Sequence, residues 1–523
     1  MAATRTANSN DEDQIKNSWS QALTALKRRE TWTMLLLGFA AGLPILLIFS
    51  SLSLWLREAG VARSAVTYFS WAALGYSFKF IWAPLIDQLP LPGLTRMLGR
   101  RRSWLLLSQL SVILAICGMA LTDPANDTYA LTMMAIFAVL LGFSSATQDI
   151  VIDAYRIESA EEKLQAMLAS TYIAGYRIGM IVAGAGALYL AAYWGSTKEA
   201  YSYQAWQYAY LCMAGAMLIG VATTLWMPEP QNRSDRAPNS NLDNSRLLVT
   251  FFIAVSAFIT TFSYVGSPVQ SLKESIDSPV GNLLGETIRM LSSLAAASIL
   301  GWLCVRFGLV RSGVAKQAWV VPVASFFKQH GVATSVLILS LVGLYRISDI
   351  VLGVMSNIFY QDIGFTKPEI ASAVKTFGVI ISIAGSFLGG IWANSYGVLR
   401  CLMWGGILAA LTNLAFIALA LIGHNLVGLY VVVGADNMAA GFASAAFVAF
   451  LSSLTQIQFT AVQYAIFSSL MTLLPKTLGG YSGGMVDALG YPTFFTLTTL
   501  MGIPVLYLIY LVGKHLKLEL PQK

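Results

Sequence analysis

The sequence predicts an all-α integral membrane protein of fourteen spans, built as two six-helix bundles plus two extra transmembrane helices between them. Three observations carry this. Of 523 residues, 56% are hydrophobic and only 11% charged, with mean hydropathy +0.65, whereas soluble domains carry about 25% charged residues. The apolar runs are about 20 residues long, the length of a helix crossing a bilayer, and they outnumber anything a β-barrel explains. Lysine and arginine, finally, crowd into every second loop, as membrane orientation requires.

Taken in order, residues 1–30 form a polar tail holding Asp11, Glu12 and Asp13 before Lys27-Arg28-Arg29. No short apolar core with a small-residue cleavage site follows, so the first span is expected to be its own insertion signal. Apolar runs place spans at 33–55, 66–86, 103–122, 128–152, 166–193 and 204–226. A second group lies at 246–264 and 285–305. A third covers 333–358, 369–394, 399–422, 426–453, 459–485 and 491–512. The stretch 312–330 is too short and too basic to span, and is expected along the inner membrane surface. The domains expected are a cytoplasmic tail (1–30), a six-helix bundle (31–228) and a linker with the extra pair and the interfacial helix (229–332). A second bundle (333–513) and a short tail (514–523) follow.

With the N-terminus inside, Lys27, Arg28, Arg29, Arg96, Arg100, Arg101, Arg102 and Lys163 are cytoplasmic. So are Arg233, Arg236, Arg306, Arg311, Lys316, Lys328, Arg400, Lys514 and Lys517. The opposite loops carry only Arg57, Arg63, Lys198, Lys273 and Lys367. Both termini are therefore expected in the cytoplasm. Six plus six joined by a cytoplasmic link is the layout of two parallel repeats, the major facilitator architecture. An insertion between the halves must hold an even number of spans, and the extra pair satisfies that condition. It reads as peripheral packing rather than a substrate path.

Composition also excludes functions. The formal net charge is +7, but no basic patch interleaved with aromatics marks a nucleic-acid face. Cys117, Cys212, Cys304 and Cys401 lie within or at the edges of spans and read as small hydrophobes rather than two disulfides. No metalloprotease helix, Walker loop or nucleophile elbow is present, so no cofactor, metal or catalytic residue is expected. An intramembrane enzyme holding a metal on Asp149 and Asp153 needs a second Asp-rich motif, and the sequence has none.

The candidate functional residues are ionisable groups stranded in apolar runs, where a charge costs several kcal/mol and usually lines a polar pathway. Asp149 and Asp153, in Gln148-Asp149-Ile150-Val151-Ile152-Asp153-Ala154-Tyr155, are spaced i, i+4 and share a helix face. They can grip a basic latch, hold a proton between them, or line a solvated inner rim. Arg177 lies near mid-membrane, too deep to snorkel, and must face a cavity or a carboxylate. Tyr172 and Tyr176 nearby can stack on sugars or cap an ion pair. Lys79 poses the same problem in the inner half of the second span. In the second half Arg346 and Asp349 are spaced i, i+3, and depth arithmetic makes an Asp349–Lys375 pair feasible. Asp436 and Asn437 enter to a similar depth, whereas Gln463 and Tyr464 lie nearer the cytoplasm. A structural salt-bridge network and substrate contact both remain open for these residues. At the inner surface, Asp87 followed by Arg100, Arg101 and Arg102 supports either a gating latch or plain positive-inside anchoring. The three histidines lie outside or at the ends of spans, so proton coupling is expected on carboxylates.

Several runs together resemble one family. They are Gly38-Phe39-Ala40-Ala41-Gly42-Leu43-Pro44, Phe78-Lys79-Phe80-Ile81-Trp82-Ala83-Pro84-Leu85-Ile86-Asp87 and Gly99-Arg100-Arg101-Arg102, with Gly175-Tyr176-Arg177-Ile178-Gly179-Met180. Most specific is Ser145-Ala146-Thr147-Gln148-Asp149-Ile150-Val151-Ile152-Asp153-Ala154. The second half adds Tyr345-Arg346-Ile347-Ser348-Asp349, Ser444-Ala445-Ala446-Phe447-Val448-Ala449 and Thr460-Ala461-Val462-Gln463-Tyr464-Ala465. The chain in this respect resembles the AmpG-type muropeptide permeases over both six-helix halves, weakly over the extra pair and not in the tail. The resemblance implies a proton-coupled importer of GlcNAc-anhydroMurNAc-peptides, working from periplasm to cytoplasm across the bacterial inner membrane by alternating access. Such import serves peptidoglycan recycling and β-lactamase induction. Lys79, Arg177, Arg346 and Lys375 then face peptide carboxylates, and Asp349 or Asp436 carries the coupling proton. The expected partners are a sugar-peptide substrate, protons and the bilayer, with the protein a monomer. A major facilitator for another substrate, an acyl-CoA-like anion or a drug exchanged for protons, is the alternative.

Overall fold

The computed structural model describes residues 27–61, 69, 74–197, 200–230, 240–276, 279–479 and 482–516. The architecture among them is all-helical, as hydrocarbon demands of a chain that must satisfy every backbone N–H and C=O internally. Among the described residues, thirteen helices are long and apolar enough to cross a membrane. The expected second span, 66–86, falls partly on residues outside those described, and what is described of it is broken into short pieces.

The first half begins with α1 (Arg29–Ile48), which breaks at Phe49 (φ −94°, ψ −90°) before α2 (Ser50–Glu58). Next come α3 (Leu74–Phe78), a 3₁₀ turn at Lys79–Ile81 and α4 (Ala83–Gln88). Pro84 sits in the first turn of α4, where a missing N–H has no intrahelical acceptor to lose. After α5 (Leu94–Leu98), Gly99 adopts φ 88° and starts α6 (Arg100–Ala120). α7 (Thr128–Ser159) is capped by Asp127, which accepts from the Ala130 N–H at 2.7 Å, satisfying one of the donors a helix start leaves open. α8 (Glu162–Ile181) passes through a π-helical turn (Val182–Gly186) into α9 (Ala187–Tyr193), and α10 (Tyr203–Trp226) closes the half.

Small residues let α1 and α8 touch backbone to backbone. A Cβ on Gly38 or Gly42 would meet the carbonyl oxygens of Tyr172 and Tyr176 at 2.2 and 2.1 Å, and one on Gly175 would meet Leu35 O at 1.9 Å. This is the close approach that small-xxx-small patterns permit in membranes. Around it, Trp55, Trp206 and Tyr210 are fully buried, with the two indoles stacked 5.7 Å apart.

The chain divides into two compact units. One comprises 81–90 with 235–329, and the other holds the rest. The smaller contains α4 and the extra pair α11 (Asn241–Tyr264) and α13 (Pro279–Arg306), packed antiparallel and joined by α12 (Gly266–Ile276). α14 (Ser312–Ala315), a π turn and α15 (Val321–His330) occupy the stretch expected at the membrane surface, which is not among the thirteen crossing helices. Arg311 pairs with Asp243, and the Trp319 indole donates to Ile81 O at 3.0 Å.

In the larger unit the second half starts with α16 (Val332–Leu344), which breaks at Tyr345–Arg346 before α17 (Ile347–Asp362). The first helix of each half is thus interrupted. α18 (Lys367–Ile370) leads through a π-helical segment (Ala371–Phe377) to α19 (Gly378–Tyr396). α20 (Val398–Ile422), α21 (Leu426–Ser453), α22 (Thr460–Gly479) and α23 (Ser482–Leu516) complete it, with α23 kinked at Gly490 (φ 74°). All four cysteines are free thiols.

Candidate substrate site and gate

One end of the larger unit, the near end, is defined by Arg29, which hydrogen-bonds the Trp226 carbonyl, and by Glu229. Glu229 accepts from the backbone N–H groups of Arg101 and Arg102 at 2.9 and 3.1 Å, an anion at the positive end of α6. A Cβ on Gly99 would collide with this carboxylate. Arg102 donates to the carbonyls of Thr224 and Leu225 at 3.0 and 2.7 Å, tying α6 to α10 within one half.

Arg101 instead reaches across. Its guanidinium binds Glu158 at 2.9 and 2.5 Å and donates to Thr460 Oγ1 at 2.9 Å, while the Thr460 hydroxyl donates to Glu158. Arg101 and Glu158 are buried. Arg100, more exposed, lies 4.0 Å from the same carboxylate. Asp87, buried on α4, belongs to the smaller unit. The carboxylate that holds Arg101 in the larger unit is thus Glu158, which the sequence reading passed over.

Above this lies a ladder on α7. Asp149 pairs with Lys79 and accepts from the Tyr172 hydroxyl at 2.9 Å. Lys79 Nζ is also 3.7 Å from Asp153, and Asp153 is 3.3 Å from Arg156. Arg156, 0% exposed, donates to Ser452 Oγ at 2.6 Å and lies 5.1 Å from the centre of the Tyr464 ring, both on the other half. Two cations and two carboxylates cancel, which is how four ionisable groups survive burial together. Arg156 is the second residue sequence reasoning missed. Asp149, Asp153 and Arg156 follow i, i+4, i+7, one helical stripe, but the fourth span had been expected to end at 152 while α7 runs to Ser159. Beside the ladder, the Gln148 side chain is fully buried with neither amide atom hydrogen-bonded.

Higher still, two arginines approach from opposite halves. Arg177 is 15 residues into α8 and Arg346 is 14 residues beyond the start of α16, depths of roughly 22 and 21 Å from the near end. Each lies within electrostatic range of the other. Arg346, at the break between α16 and α17, donates to Ser444 Oγ at 3.0 Å and sits 3.8 Å from Asp349. Asp436 interacts electrostatically with both Arg346 and Asp349. Arg177 has no ion pair or hydrogen bond among the described residues. Tyr176 stands beside it, with its ring 6.1 Å from that of Tyr172.

Other predicted residues fall elsewhere. Lys375 is exposed on the π segment, and the cation beside Asp349 is Arg346, in the break just before α17, not Lys375. Asn437 bonds back to Val433 O at 2.9 Å and packs on Gly378. Gln463, buried, accepts from the Gln456 N–H at 2.8 Å and shapes the turn before α22.

Two broken-helix halves meeting around a polar centre define a multi-pass membrane transporter with a small-molecule substrate. A family model of the Major Facilitator Superfamily matches residues 34–345, and the chain belongs to that superfamily, among its AmpG-type members. It is 30% identical to "Putative transporter AmpG 4" of Rickettsia felis, over 92% of this chain and 95% of that one. It is 27% identical to the anhydromuropeptide permease of Escherichia coli K12, over 95% of this chain and 82% of that one. Among solved structures, the proton:xylose symporter XylE aligns with TM-score 0.59 at 12% identity, covering 94% of this chain and 96% of that one. The human organic anion transporter MFSD10 aligns with TM-score 0.56 at 12% identity, covering 92% and 98%. At such identities these two likenesses concern the fold.

Proposed function

We propose that this transporter imports anhydromuropeptides, GlcNAc-anhydroMurNAc-peptides, from periplasm to cytoplasm together with protons, by alternating access. On this reading it sits in the bacterial inner membrane as a monomer with both termini inside. The observation that carries the reading is the facing pair Arg177 and Arg346, of which Arg177 has no counter-ion among the described residues. A peptide carboxylate supplies it, and charge-assisted pairs of this kind are the strong ones. The named permease among the relatives supports the substrate class.

The charge count then suggests how protons couple. Arg177 and Arg346 against Asp349 and Asp436 sum to zero with both carboxylates ionised. Protonating one leaves a site of +1, which favours an anion, and release of the proton inside expels it. Lys79, Tyr172 and Tyr176 line the path below, and Asp149 and Asp153 are further proton sites. On the same reading, Arg101 with Glu158 and Thr460, and Arg156 with Ser452 and Tyr464, form the cytoplasmic gate, and their contacts between the halves support that role.

Uptake of labelled GlcNAc-anhydroMurNAc-tripeptide into proteoliposomes, with and without an inward proton gradient, tests both parts. Gradient-stimulated uptake is expected. Uptake indifferent to the gradient removes the coupling, and no uptake by correctly oriented, folded protein removes the substrate.

A further inference from the structure

The extra helix pair has a use that substrate transport does not assign it. Only 11% and 6% of the apolar stretches of α11 and α13 are buried, against 28–65% in the other crossing helices. Between the two runs an open groove of about 810 Å³, lined by Val249, Phe252, Ile253, Ala257, Ile299 and Leu300 among others. From Val249 to Thr261 it extends roughly 18 Å, about one leaflet of a hydrocarbon core near 30 Å thick.

One end of this groove is basic. Arg246 precedes Val249, Ile253 and Ala257 by three, seven and eleven residues on one stripe of α11. Arg306 follows Ile299 by seven on α13, so both arginines continue groove-facing rows. Because the helices are antiparallel, the two guanidiniums fall at the same end. Neither has an ion pair or hydrogen bond among the described residues, whereas Arg311 beside them is taken by Asp243. At the opposite end Arg289 is satisfied, donating to Phe262 O at 2.8 Å with its guanidinium 3.9 Å from the Phe262 ring centre. The exposed Phe307, next in the chain to Arg306, adds an apolar side chain at the arginine end.

We infer that this groove is a binding site for an anionic phospholipid of the inner leaflet. One acyl chain lies along α11 and α13, and the headgroup phosphate is held by Arg246 and Arg306. Unpaired arginines at headgroup depth attract anionic lipid electrostatically, and the groove gives the chain a fixed seat.

Native mass spectrometry of the full chain, released from detergent after titration with phosphatidylglycerol or phosphatidylcholine, tests this. One retained phosphatidylglycerol per chain is expected, with at least about tenfold preference over phosphatidylcholine. The double variant Arg246→Gln/Arg306→Gln should lose the preference, and Ala257→Trp, which fills the groove, should lose the adduct. Equal retention of the two lipids by the unaltered chain overturns the proposal without recourse to any variant. Unchanged preference in a monodisperse double variant overturns it as well, as does an undiminished phosphatidylglycerol adduct in Ala257→Trp.

Discussion

Arg177 and Arg346 stand at matching depth on opposite halves, and among the described residues only Arg346 has a carboxylate within ion-pair distance. A like-charge pair with one member uncompensated costs the empty protein stability that an anion restores. Arg177→Gln is therefore expected to cut uptake by roughly 10- to 100-fold, since a charge-assisted hydrogen bond contributes about 1.5–3 kcal/mol. The same substitution should leave the melting temperature of the empty protein unchanged or raised. A fall in melting temperature with normal uptake would make Arg177 a packing residue.

Lys79 has the opposite character. It is buried between Asp149 and Asp153, so Lys79→Met removes the cation paired with Asp149, while Asp153 keeps Arg156. Breaking a buried ion pair on one side costs about 3–5 kcal/mol. A large drop in thermal stability is expected, partly recovered in Lys79→Met/Asp149→Asn. No recovery in the double variant argues that Lys79 acts through contacts other than the pair.

At the proposed gate, Glu158→Gln takes the Glu158 charge away from the buried Arg101 guanidinium. Less shape is lost than with alanine, so the chain should fold while the contact between halves weakens. A cysteine placed at Ser452 should then react faster with a membrane-impermeant maleimide added from the cytoplasmic side. An unchanged labelling rate counts against Glu158 as part of the closure.

The contact of α1 with α8 gives a packing prediction. Gly175→Val puts a side chain into the Leu35 carbonyl, 1.9 Å from the new Cβ, and overpacking costs at least about 1–3 kcal/mol. Gly215→Val, where a new Cβ would meet nothing beyond its own stretch of helix within 4 Å among the described residues, is the matched control. Yield of monodisperse protein after size-exclusion chromatography should collapse for the first and hold for the second.

Hydropathy and basic loops made the helices legible because hydrocarbon length and charge placement are written residue by residue. The helix breaks were not legible. Phe49 and Tyr345–Arg346 are themselves neither glycine nor proline, and the nearby Pro44 and Gly343 are residues that membrane helices commonly carry without breaking. The Arg156 and Glu158 roles escaped for a related reason. Charged residues at the end of an apolar run read as the membrane edge, yet here each is buried by a partner more than 50 residues away along the chain. The expected Asp349–Lys375 pair failed because a helical neighbour three residues off, Arg346, is already in reach. Asn437 and Gln463 were correctly placed on helices, but a polar side chain bonded to nearby backbone is indistinguishable in sequence from one facing a cavity.

The glycine seam between α1 and α8 makes those two helices a single strut. Arg177, Tyr176, Tyr172 and Ser170 all ride on it, and Ser170 packs against Gly390 of the other half. A body that stiff cannot bend to admit a solute at one level while staying still at another. Whatever pries Ser170 from Gly390 must swing Arg177 away from Arg346 in the same stroke, so under the proposed importer reading letting go of the cargo and opening the exit would be one mechanical event.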